Sequence, residues 1–168
     1  MHSVGEPTRD EPHAETERDY TPAVYGALLV TTLIAVQWRH DVSTTLLGAS
    51  LIGAVLVFWL THVWSRVVNQ RVHGPIARHE GLAIARDEAP MLTASILPAL
   101  VLLLLPALGA TTDQAVAVAL ALSIAQLFVW GMVVGRAAHS SWWLAIGVAT
   151  VDLLLGLAIV TLKVVVLH

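Results

Sequence analysis

Three side chains in this sequence are of a type that does chemistry and sit where lipid does not welcome them: His62, Gln126 and Asp152. An ionisable group at bilayer depth costs ~2.5 to 3.5 kcal/mol on insertion scales, so it normally faces protein or water and is a functional candidate by default. Asp152 is the deepest, about 15 Å along the last apolar run at 1.5 Å per residue. Helical spacing groups it with Ala145, Ala149, Gly156 and Ile159, a mostly small face of the kind that close helix contact requires. Gln126 lies at similar depth, sharing a face with Ser123 and Trp130. His62 is shallower, with Phe58 and Trp59 one turn to one side and Arg66 one turn to the other. Two readings stand side by side. In one, the three form a polar track in which a carboxylate and an imidazole pass protons or bind a cation and the amide is a neutral ligand. In the other, Asp152 and Gln126 fix helix register by hydrogen bonding and His62 fills an interface beside Trp59 and Trp64. The pair Gly131 and Gly135 forms a G-x-x-x-G, which reads as helix packing.

The elements that must carry these residues are membrane helices. The stretch Leu46 to Trp64, LLGASLIGAVLVFWLTHVW, is apolar and long enough to cross a bilayer, yet holds His62. The chain is 57% hydrophobic and 12% charged over 168 residues, where a soluble domain carries about 25% charged residues. Five apolar runs follow one another: Pro22 to Trp38, Thr45 to Trp64, Met91 to Leu108, Ala115 to Val134 and Trp142 to Leu167. Each spans roughly 25 to 39 Å as a helix, against a hydrocarbon core of ~30 Å. Backbone groups in lipid must pair within the chain, and the alternation of a membrane barrel is absent, so the runs read as helices. The expected fold is all-α: a polytopic transmembrane bundle of five helices.

Orientation follows from the cations. Five spans place Arg9, Arg18, Arg66, Arg71, Arg78, Arg86 and Arg136 on one side and Arg39 and Lys163 on the other, which predicts the N-terminus in the cytoplasm and the C-terminus outside. Lys163, ~30 Å along the last helix, reads as an anchor that snorkels to the outer boundary. Residues 1–20 read as a disordered acidic cytoplasmic tail and not as a signal peptide, since the charges before the first apolar run are net negative. The 65–90 segment is expected to be a cytoplasmic loop in which the second helix projects, breaks at Gly74-Pro75, and is followed by a short surface helix to about Glu88. Pro98 and Pro106 are expected to kink the third span.

Several classes are excluded or unsupported. The net charge of −3 and the lack of a basic stripe give no footprint for nucleic acid. With no cysteine there are no disulfides or thiolate sites. No H-E-x-x-H, G-x-S-x-G or phosphate loop is present, so no enzymatic activity and no cofactor are expected. His79 and Glu80 in R-H-E, with His73 nearby, could bind a metal weakly, but their spacing specifies no metal site.

The words F-W-L-x-H-V-W at Phe58 to Trp64, A-P-M…L-P at Ala89 to Pro98, Q-L-F-x-W-G at Gln126 to Gly131 and L-G-L-A-I-V-x-L-K at Leu155 to Lys163 resemble, as a set, a widespread family of small five-span bacterial integral membrane proteins. That family's second span reads F-W-L-A-H-V-Y, which His62 matches and Trp64 varies. The resemblance covers about Tyr20 to His168 and implies a five-span architecture and no activity. A likeness to the vacuolar iron transporter family is one of topology alone: the first span here has no acid or methionine, and the insert after the second span is short and not glutamate-rich. The expectation is therefore a multi-pass protein of the cytoplasmic (cell) membrane, partnered by the lipid bilayer and by a second copy or another membrane component, in an accessory or structural role. The alternative is a small proton-linked cation (metal) transporter or channel using His62, Gln126 and Asp152.

Overall fold

Helix ends fall largely where sequence punctuation puts them. The computed structural model describes residues 20–38, 42–75, 77–138 and 141–167, without the side chains of residues 73, 166 and 167. The acidic tail, Arg39 and the greater part of the connection 139–141 lie outside the described residues. Six α-helices occur among those described: α1 Thr21–Gln37, α2 Thr44–His73, α3 Arg78–Asp87, α4 Pro90–Leu104, α5 Thr112–Ala138 and α6 Trp142–Leu167. Pro22 and Pro90 stand in the first turns of α1 and α4, where a missing N–H costs no hydrogen bond. Ser43 caps α2 by accepting from the Leu46 N–H at 3.2 Å. At α5, Thr111 and Gln114 form a reciprocal box: the Gln114 side chain accepts from the Thr111 N–H at 3.0 Å and the Thr111 hydroxyl from the Gln114 N–H at 3.3 Å.

The two prolines of the third apolar run behave differently. Pro98 is carried inside α4, which continues past it to Leu104. Pro106 opens a separate 3-10 turn, Pro106–Leu108. That turn closes on Gly109 at φ 92°, a left-handed conformation that glycine adopts without steric penalty. Pro106 therefore ends the helix where a kink within it was expected.

Among the described residues four helices are long and apolar enough to cross a membrane, α4 when counted with the turn through Leu108, and α1, at 17 residues, is a shorter apolar helix. The central helix is α1. α1 packs against α4, α5, α6 and α2, while α2, α4, α5 and α6 follow one another around it as a sheath, each against the next. Burial on α1 accordingly covers more than half of its circumference, from Pro22 and Gly26 through Ala23, Ala27, Val30 and Ile34 to Thr31 and Ala35, while Tyr25 and Val36 lie exposed on the remaining side. Gly26 permits the closest approach, since a Cβ there would lie 2.6 Å from the Met91 carbonyl oxygen of α4. The outer helices are the reverse. Only 17% of the apolar stretch of α6 is buried, and its uncovered face is Leu144, Val151, Leu154 and Leu162. Apolar side chains facing outward along four long helices identify a helical membrane bundle.

Candidate functional site

The polar candidates fall on three different helix contacts. Asp152 lies between α5 and α6, the most extensive pairing of the bundle. Gly131 and Gly135 of α5 meet Ala149 and Ala145 of α6, and a Cβ on Gly131 or Gly135 would come 2.6 or 2.5 Å from the Cα atom opposite. The G-x-x-x-G thus packs against an A-x-x-x-A of the same chain. Asp152 is one turn beyond Ala149, and its Oδ2 would be 2.6 Å from a Gly131 Cβ. One turn further, Gly156 faces Leu127 Cδ1, 2.8 Å from where its own Cβ would be. The carboxylate, partly buried, is lodged in a row of small residues and occupies space that glycine vacates.

Gln126 does not join it. At 100° per residue it is about 140° around α5 from Gly131. That places it nearest the side of α5 that carries Ala119 and Trp130, which pack on α1 and its neighbours. Its Oε1 is buried with no hydrogen-bond partner. Three buried hydroxyls are already committed: Thr31 donates to the Ala27 carbonyl at 2.8 Å, Ser95 to Leu92 at 2.8 Å and Ser123 to Ala119 at 2.8 Å. Each satisfies its own helix.

His62 belongs to a third place, where α1, α2, α3 and α4 meet. Its ring is 5.4 Å from Tyr25 of α1 and 5.5 Å from Phe58, and Tyr25 and Phe58 are 5.5 Å apart, all tilted by 30–42°. Such separations and tilts are those of ordinary aromatic packing. Trp59 and Arg66, on the same face of α2, reach the α3–α4 junction. The Trp59 indole N–H donates to the Ala85 carbonyl at 3.2 Å, and the Arg66 guanidinium donates to Glu88 Oε1 at 2.7 Å. Glu88 is 2% exposed, and its Oε2 is buried without a partner. The short helix was expected to be a solvated surface element. That description fits Arg78, His79, Glu80 and Arg86, but Ile84 and Glu88 are buried against α2. The pairing of Arg66 with Glu88, 22 residues apart, carries no local sequence signal.

Glu80 acts as a cap: its carboxylate accepts the Ala77 N–H at 3.1 Å. Among the described residues no three His, Asp or Glu side chains come together as a metal site, and the His73 side chain lies outside them. At the far end, Lys163 is tied inward. Its Nζ donates to the Trp38 carbonyl at 3.2 Å and sits 4.1 Å over the Trp38 ring, holding α6 to the C-terminal end of α1.

The chain matches no family model, no curated protein and no solved structure.

Proposed function

We propose that this is a five-span protein of the cytoplasmic membrane, with its N-terminus inside, acting as an accessory or structural component through its contacts and not by moving a solute. At 17 residues α1 reaches roughly 25 Å, at the lower limit for a span. Its place inside a sheath of four apolar helices supports its membrane-spanning role. The arginines of α2, α3 and the end of α5 support the orientation. The resemblance to small five-span membrane proteins points the same way. The observation that carries the accessory reading is the dispersal of the polar residues. His62, Gln126 and Asp152 face different neighbours, and α2, which carries His62, has little contact with α6, which carries Asp152.

The test has two arms. In sealed proteoliposomes, wild type and Asp152→Asn are given imposed proton and Fe²⁺ or Mn²⁺ gradients and followed with an internal pH dye and a metal-sensitive dye. The accessory reading expects no flux from either. Flux in wild type that vanishes in a folded Asp152→Asn protein would replace it with the proton-linked cation carrier, the reading that the orphaned Gln126 Oε1 favours. For orientation, the chain has no native cysteine, so single cysteines report cleanly. Ala110→Cys should react with an impermeant maleimide in intact cells, and His79→Cys only after lysis. The reverse pattern inverts the topology.

A further inference from the structure

At the end of the bundle where α3 lies, a groove of about 560 Å³ runs along α5 between Tyr20 and Trp142. Phe128, Met132 and Arg136 form its spine at i, i+4 and i+8, with Val133 beside them. From Phe128 to Arg136 is about 12 Å along the axis, most of one leaflet's half of a ~30 Å core. The groove is apolar along its length and cationic at one end. The Arg136 guanidinium carbon lies over the Trp142 ring, 4.4 Å from its centroid. A guanidinium is always charged and carries five N–H donors, so its charge can draw a phosphate to this end of the groove while the ring contact is kept. Tryptophan and arginine at this level are what a headgroup boundary selects. The groove between α2 and α4 lacks this pattern: it is smaller, about 250 Å³, and lined by Ile52, Leu56, Ile96 and other uncharged residues that would select nothing.

We infer that the α5 groove is a binding site for one anionic phospholipid, with its phosphate at Arg136 and an acyl chain laid along Phe128, Met132 and Val133. The inference rests on the membrane reading above and is independent of whether the protein transports anything. A chain in the groove covers apolar surface that the bundle leaves open, and net negative charge on the headgroup is complemented by the arginine.

The test titrates the purified full-length protein in detergent with phosphatidylglycerol and with phosphatidylcholine of identical acyl chains, by native mass spectrometry. The expected result is one site at which phosphatidylglycerol binds about fivefold tighter, the effect of one arginine near a membrane surface. Arg136→Gln should erase that preference, Arg136→Lys should keep it, and Val133→Trp, which fills the groove, should weaken both lipids. Arg78→Gln, on the exposed face of α3, should change neither. Preference that survives Arg136→Gln, or that Arg78→Gln lowers equally, overturns the site. Displacement of the lipid by millimolar inorganic phosphate, unaffected by Val133→Trp, would make this a free-anion site and also overturns it. If Arg136→Gln does not fold, Val133→Trp still decides, since unchanged binding of both lipids there refutes the groove. Release of the chain from membranes by alkaline carbonate would instead overturn the membrane reading itself.

Discussion

Replacing Gly131 with alanine adds one methyl group to a contact that has no room for it. The new Cβ would meet Ala149 Cα and Asp152 Oδ2 at 2.6 Å each, where 3.4–4 Å is ordinary contact. Asp152 can swing its carboxylate away. Ala149 Cα is backbone, so α6 must retreat by about 1 Å along a stretch where Gly135 and Ala145 are equally close. Overpacking of this kind costs ~1–3 kcal/mol. Alanine also gains up to ~1 kcal/mol over glycine in a helix interior, which would mask part of the loss. Gly147, on α6 with nothing within 4 Å of its added Cβ, provides the matched control. Gly147→Ala should be neutral or stabilising, and the difference between the two variants should recover the full ~1–3 kcal/mol because propensity cancels. The assay is reversible unfolding in mixed micelles against rising dodecyl sulfate, with thermal midpoints as a second readout. Gly131→Ala as stable as Gly147→Ala would refute the reasoning. The G-x-x-x-G would then have to serve an outside partner and not α6.

Three further substitutions test other contacts. Arg66→Gln should destabilise by about 1–3 kcal/mol, because it strands a buried carboxylate; the same change at the exposed Arg71 should do little, and equal midpoints for the two would remove the Arg66–Glu88 tie from the account. Lys163→Met should lower stability by about 1–2 kcal/mol through loss of both the Trp38 carbonyl bond and the ring contact. A snorkelling anchor would lose almost nothing, so an unchanged thermal midpoint sinks this one. Gln126→Leu should be neutral or stabilising, since it replaces a buried oxygen that has no partner by an apolar group of similar size. A loss above ~2 kcal/mol would mean that the amide has a bound water or ligand to hold.

Depth along a helix was legible in the sequence, and direction around it was not. Gly74-Pro75 marks the end of α2 because helix breaking is local chemistry. Rise per residue then sets Asp152 and Gln126 at comparable depth. Which neighbour each one meets depends on the packing of the whole bundle. Asp152 was readable because its own face is small, and small faces find close partners. Gln126 had no such cue, and its neighbours Ser123 and Trp130 belong to the side turned to the central helices. Long-range ties are invisible by nature: Lys163 and Trp38 are 125 residues apart. Glu88 was hidden differently. It ends a charged run that is otherwise solvated, and only the return of the chain into α4 buries it.

The central helix explains why polar and aromatic residues are retained here at all. Within lipid, apolar burial does little to draw one helix to another, so an apolar helix packed among four others has little to fix its height or rotation. α1 has no charged residue of its own and leucine, alanine and valine on most of its surface. Its position is set by specific ties, and His62, which looked out of place, is among them. Tyr25 meets His62 and Phe58 of α2 at one end. At the other, Gln37 accepts from Ser50 of α2 at 2.6 Å, and the Trp38 carbonyl accepts from Lys163 of α6. Gly26 lets α1 lie against the Met91 backbone between them. His62, a candidate for the polar track by sequence, is on this view one of the pins. The ties act on one body, so their losses should couple. Lys163→Met combined with Tyr25→Leu should lose more or less than the sum of the single changes by at least ~0.5 kcal/mol, although the two sites are a helix length apart. Strict additivity at that distance would mean that the ends of α1 are held independently and that His62 is available for another task.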